Sequence, residues 1–221
     1  MYLRLTAFAA LCCGLLSGCG GGSELDDGPP PTFTAQILSD PRFDGDIEQV
    51  SPNIYTVTQG MSSAVQSVLA GIDPVGGTEF RAFLDFPLGG PGGIPGNAVI
   101  DSAFLEVYID SLDPLSGRLP IRVDLVAFQP PTLIDTDYSR SAQPALASVV
   151  LSPDISRLDV GTYVPIDVTS LMREAQRRGL ADFQVRIMED LGPAIPVLMV
   201  IDDSTGPNRR SFAPLLTVTY F

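Results

Sequence analysis

Histidine and tryptophan are both absent from the 221 residues. Without imidazole the chain lacks the usual general base, any Ser-His-Asp or Cys-His nucleophile, and any histidine-bound zinc. Without indole it lacks a flat surface commonly used to hold sugar rings. Charge is sparse and one-sided, with 13 Lys+Arg against 26 Asp+Glu and a net charge of −13. Such a surface repels nucleic acid and other polyanions. Arg173, Arg177 and Arg178 form the only cluster of positive charge that stands out. Cysteine is as scarce: Cys12, Cys13 and Cys19 are the whole complement. Everything after residue 19 folds without a disulfide.

Glycine and proline are plentiful, 21 and 20 residues, which suits strands joined by turns better than a helical bundle. The organising stretch runs from Phe80 to Asp110. Phe80, Ala82, Leu84, Phe86 and Leu88 fall on one side of the first run, with Arg81 and Asp85 opposite. In the second, Ala103, Leu105, Val107 and Ile109 oppose Ser102, Glu106 and Asp110. A period of two places apolar side chains on one face of a pleated strand. Similar runs at 33–38, 55–58, 63–70, 121–128, 146–151, 183–187, 197–201 and 215–221 predict further strands. Val168, Leu171, Met172 and Ala175 predict one short amphipathic helix, with Asp167 or Thr169 as its cap and Gly179 as its stop. Its arginines complement the helix C-terminus, or else bind an anion.

Residues 1–18 read as a leader: Arg4, then an apolar run from Leu5 to Leu16 that is too short to span a bilayer. It ends in Leu16-Ser17-Gly18-Cys19, which resembles the lipobox of bacterial lipoproteins. That resemblance implies cleavage before Cys19 and lipidation of its thiol, with several acyl chains giving a stable anchor. Loss of Arg4 with the leader takes the net charge from −13 to −14. Gly20 after the cysteine favours the outer membrane over inner-membrane retention, where the cell has one. Residues 19–31 form a Gly- and Pro-rich tether, of which about a dozen residues reach roughly 40 Å when stretched. Residues 32–221 are the folded domain.

Two stretches collect groups that could bind a ligand. Asp40, Asp44, Asp46 and Glu48 bring four carboxylates into nine residues. They form either a solvated acidic turn or an oxygen-rich loop that could hold a structural Ca²⁺, although the EF-hand pattern is absent. The long stretch from Thr132 to Asp159 carries Asp135, Asp137, Tyr138, Arg140 and Gln143. Strand positions are committed to alternation, so this loop is expected to supply ligand contacts, with Tyr138 stacking on a sugar and its polar neighbours meeting hydroxyls. The other reading is a loop that covers the sheet. Outward-side Phe83, Phe104, Tyr108, Val126 and Phe128 either form an exposed patch or are buried.

Four segments, in order, resemble the DNRLRE-type β-sandwich domain, which is related to carbohydrate-binding modules. They are Arg81 to Phe86, Pro95 to Val107, Asp167-Val168-Thr169-Ser170-Leu171, and Pro214 to Tyr220. The resemblance implies an all-β, antiparallel, jelly-roll-like sandwich, and the alternating runs suggest about eight to ten strands with one short helix. Many members follow the helix glutamate with tryptophan, where Glu174 is followed here by Ala175. The expectation is a lipid-anchored envelope lipoprotein carrying a non-catalytic binding module, for polysaccharide, or else a structural or assembly lipoprotein that binds other envelope proteins. No catalytic residue, cofactor or nucleic-acid partner is expected, since no motif specifies a nucleophile or a cofactor site.

Overall fold

The structure is a computed structural model and describes residues 30–128, 132–190 and 196–221. The expected leader, Cys19 as the expected lipidation residue, and nearly all of the expected tether lie outside the described residues. Among the described residues fourteen strands are formed: β1 Phe33–Leu38, β2 Gly45–Ser51, β3 Ile54–Gln59, β4 Ser67–Ile72, β5 Glu79–Pro87, β6 Ile100–Asp113, β7 Arg118–Leu119, β8 Ile121–Val126, β9 Ala147–Val150, β10 Ile155–Ser156, β11 Tyr163–Asp167, β12 Asp182–Glu189, β13 Leu198–Asp202 and β14 Leu215–Tyr220. Two helices join them, α1 Thr169–Arg178 and the single-turn α2 Arg209–Phe212. The fold is an all-β, antiparallel, sandwich-like one, with more strands than the alternating runs suggest and a second helix.

The strand β6 organises the layers. Its first half pairs with β14 on one edge and β11 on the other, and β14 pairs in turn with β1. Its second half passes into the other layer and pairs with β13. The register shifts between Val200 and Ile201, the kind of irregularity that lets a strand turn a corner between sheets. The smaller sheet is therefore β1-β14-β6-β11. The larger continues from β13 through β4, β5, β12 and β8 to β9, with the β2–β3 hairpin paired to β5.

The inner faces of both sheets build the main core. Ala103, Leu105, Val107 and Ile109 of β6 meet Ala82, Leu84 and Phe86 of β5 and Val185 and Ile187 of β12, all buried. At about 1.5–3 kcal/mol for each large aliphatic side chain, this interior dominates stability. Helix α1 lies against β6 and β9 and buries Leu171, Met172 and Ala175. It ends at Gly179, whose φ of 65° suits a residue without Cβ. Its start differs from the expectation: Val168 is the cap position, and the Asp167 carboxylate accepts the Thr169 N–H at 2.9 Å. Its arginines are engaged locally. Arg173 donates to the carbonyls of Ile100 and Asp101, while Arg177 and Arg178 pair with Glu174.

The stretch Gly45–Ser51 is a strand, although its acidic residues read as a turn. Gly45 makes the close β2–β3 approach possible, because a Cβ there would lie 2.1 Å from the Thr58 carbonyl oxygen.

Candidate functional site

The two outer faces of the sandwich differ. On the larger sheet the outward positions form rows across β5, β12 and β8: Phe83 beside Arg186 beside Asp124, and Asp85 beside Gln184 beside Val126. Phe83 and Val126 join Ile47, Phe128, Leu133 and Tyr138 in a second, smaller core. The loop after β8 closes over this face, and a turn of 3-10 helix at Asp135–Tyr138 supplies its tightest part.

Arg186, fully buried, stitches the loop to the sheet. Its Nη1 donates to the carbonyls of Asp137 at 2.9 Å and Gln143 at 3.1 Å, and its Nη2 to Asp124 Oδ2 at 2.8 Å. Asp124 also accepts from Ser148 at 2.6 Å and Arg122 at 2.9 Å, and Arg140 stands 3.8 Å away. Burial works against the charge on Asp124, but the hydrogen bonds from Ser148, Arg186 and Arg122 outweigh it and hold the carboxyl below its usual range.

The sequence-predicted ligand residues therefore hold a cover in place, which corrects the reading of Tyr138 as an open stacking surface. Tyr138 is 4% exposed, too little to receive a sugar. Its ring packs at 4.9 Å on Tyr55 and lies under the Arg81 guanidinium at 3.8 Å, and its hydroxyl donates to Gln49 at 3.2 Å. Asp137 is buried and accepts the Ile134 N–H at 2.9 Å, closing the helical turn. Arg140 faces Asp124, the Gln143 carbonyl is held by Arg186, and Asp135 is exposed.

Nor does the structure gather Asp40, Asp44, Asp46 and Glu48 around one point. Asp40 pairs with Arg42 at 2.6 Å, Asp44 accepts the Asp85 N–H at 2.8 Å, and Asp46 accepts the Leu69 N–H at 3.2 Å. Glu48 lies in β2, opposite Thr56 and Phe80. Among the described residues no three acidic, histidine or cysteine side chains cluster as a metal would need.

The outer face of the smaller sheet has no such cover among the described residues. Because Ala103, Leu105 and Val107 point inward, Phe104, Glu106 and Tyr108 point outward. Because Val164 and Ile166 are buried, Tyr163, Pro165 and Asp167 are exposed. Register sets these in rows: Asp167, Phe104, Thr217 and Gln36; then Pro165, Glu106, Leu215 and Leu38; then Tyr163 and Tyr108. Phe212, just ahead of β14, completes the last row. Its ring meets Tyr108 edge-on at 4.9 Å, and Tyr108 meets Tyr163 at 5.4 Å.

Hydroxyls and carboxylates flank the aromatics. Thr217 Oγ1 donates to Glu106 at 2.9 Å, and the Tyr163 hydroxyl donates to the Ser211 carbonyl. Partial burial and the carboxylates of Asp202 and Glu106 raise the Tyr163 pKa, so the phenol stays neutral. Tyr163 is 41% exposed and Phe104 40%. Phe104 and Tyr108 stood out in the sequence as outward aromatics. Tyr163 and Phe212 did not, because only the β6–β11 register and the α2 turn bring them to the same row.

Neither comparison with models of known protein families nor comparison with curated proteins finds a match. The geometry of the two faces is what a functional reading has to rest on.

Proposed function

We propose that the chain is a lipid-anchored envelope protein whose sandwich is a non-catalytic binding module for a neutral polysaccharide, held on the open face of the smaller sheet. One observation carries this reading: exposed aromatic rings alternate there with hydroxyls and carboxylates along rigid strands. Aromatic faces stack on the apolar faces of sugar rings, and the polar neighbours meet the equatorial hydroxyls. Glu106, Asp110, Asp167 and Asp202 make the surroundings acidic, so uronic-acid polymers are repelled. The resemblance to DNRLRE-type domains and the lipobox-like leader support the same reading. A glycan array probed with the full-length protein tests it: a neutral polysaccharide should bind, Tyr163→Ala should remove the signal, and turnover of the glycan would refute the non-catalytic part.

The alternative, an assembly lipoprotein, is favoured by β3. This strand carries no charged residue, pairs among the described residues only with β2, and exposes Ile54 and Val57. Such an edge can accept a strand from another chain. Pull-down of an envelope protein, with no glycan signal on the array, would favour it. In either case Cys19 should incorporate a fatty-acid analogue and Cys19→Ser should not.

A further inference from the structure

The aromatic row is completed by α2, and α2 is held by a buried pair of carboxyl groups. Asp44 stands in the turn between β1 and β2, and Asp203 follows β13; both are fully buried. Asp44 Oδ1 accepts the Asp85 N–H at 2.8 Å. Asp203 Oδ1 accepts from Arg209 at 2.9 Å and from Ser39 Oγ at 3.5 Å. Among the described residues the second oxygen of each carboxyl group has no hydrogen-bond partner, yet the two side chains lie within hydrogen-bonding reach of one another.

Ionised carboxylates only accept hydrogen bonds, so neither can satisfy the other. One added proton turns the contact into an O–H···O⁻ bond that satisfies both. The local charge agrees with this count. Two carboxyl groups face a single guanidinium, Arg209, which is 2.9 Å from Asp203 and 4.0 Å from Asp44. The other charged or titratable groups nearby are Asp40, neutralised by Arg42; Asp85 on β5, whose carboxyl accepts from Gln184; and Asp46, bonded to the Leu69 N–H.

We propose that Asp44 and Asp203 share one proton, and that this proton locks the segment from Asp203 to Phe212 in the position that assembles Tyr108, Tyr163 and Phe212. Arg209 is the first residue of α2, and it donates to the backbone and hydroxyl oxygens of Ser39 as well as to Asp203. The next residues do the positioning. The Ser211 carbonyl receives the Tyr163 hydroxyl, and Phe212 packs on Tyr108.

Loss of the proton leaves two buried negative charges against one positive charge, and the pair repels itself. Burial first, and then the partner carboxyl, push Asp44 well above the usual carboxylate range; burial also raises Asp203. The sign follows. The lock is released as pH rises through the folded value of the pair, and at lower pH it holds for as long as one of the two groups stays ionised against Arg209. This makes ligand binding on the open face stronger in mild acid, a consequence that rests on the function proposed above; the lock itself does not.

The test is a carboxyl-carbon NMR titration of the full-length protein, read beside its near-ultraviolet tyrosine circular dichroism. One proton should be retained by Asp44 and Asp203 well above the ordinary range, and the tyrosine signal should fall as that proton leaves. Asp44→Asn supplies a permanent donor to Asp203 while keeping the oxygen that accepts from Asp85, so its tyrosine signal should be high and independent of pH across the same interval. Ionisation of both groups in the ordinary range, or an unchanged pH dependence in Asp44→Asn, would overturn the proposal. So would a Ca²⁺ titration at fixed pH that restores the signal in the wild type, because a cation would then be filling the place assigned to the proton. A protein that shows the lock but binds no glycan at any pH would refute the binding face and leave the lock standing.

Discussion

The outer faces of the two sheets arise from the same strand alternation, yet one is closed and the other open. On the larger sheet the outward positions are Phe83, Val126, Asp124 and Arg186, all buried. The first two are too apolar to leave in water, and the last two are a charge pair that gains strength under cover. The loop with Leu133 and Tyr138 supplies that cover. On the smaller sheet the outward positions are Phe104, Glu106, Tyr108, Thr217 and Gln36, a mixture that tolerates water and offers both stacking and hydrogen bonding. A loop rich in polar and aromatic residues can thus be a roof, while the binding chemistry sits on regular strands.

Removing the link between roof and sheet should have the largest effect. Arg186→Met takes one guanidinium from the buried Asp124, which keeps Arg122 and Ser148, and leaves two loop carbonyls without their donor, so chemical denaturation should show a loss of about 3–5 kcal/mol. The double variant with Asp124→Leu should recover part of that loss; no recovery would mean that the loop carbonyls matter more than the charge.

Next comes pH. Burial raises Asp85 to about 6, and Asp46 and Glu189 to about 7, with Glu79 adding to the effect on Glu189. Groups raised by folding contribute stability that is complete below about pH 4 and lost as pH rises through these values. At about 1.4 kcal/mol for each pKa unit between folded and unfolded chain, the protein should lose a few kcal/mol of stability from about pH 5 to about pH 8. A stability that rises over this interval would contradict the assignment. Tyr138→Phe, which removes the hydroxyl that donates to Gln49 and keeps the packed ring, should cost about 1 kcal/mol. On the open face, Glu106→Ala should change stability by less than about 0.5 kcal/mol.

The alternating runs made the strands legible, β5 and β6 above all, because a half-buried strand writes its inner face into every second residue. The acidic β2 escaped notice: Asp46 is buried in it and Asp44 just ahead of it, and nothing local in the sequence signals that their partners lie at Asp85 and Leu69. Arg186 alternates with Val185 and Ile187, and nothing in that spacing tells that the return of a loop 43 and 49 residues away buries it. Tyr138 misled for the same reason. Its neighbours Tyr55 and Arg81 come from β3 and β5, and a partner 57 residues distant leaves no mark on local spacing. The open face was half legible, through Phe104 and Tyr108. Its completion by Tyr163 and Phe212 depends on strand register and a helical turn, which a single sequence does not specify.

The most direct test of the central claim compares one tyrosine from each face in glycan binding by the full-length protein. Isothermal titration against the best array hit should show binding lost in Tyr163→Ala and kept in Tyr138→Phe. Retained binding in Tyr163→Ala together with loss in Tyr138→Phe would place the site on the roofed face and contradict the account.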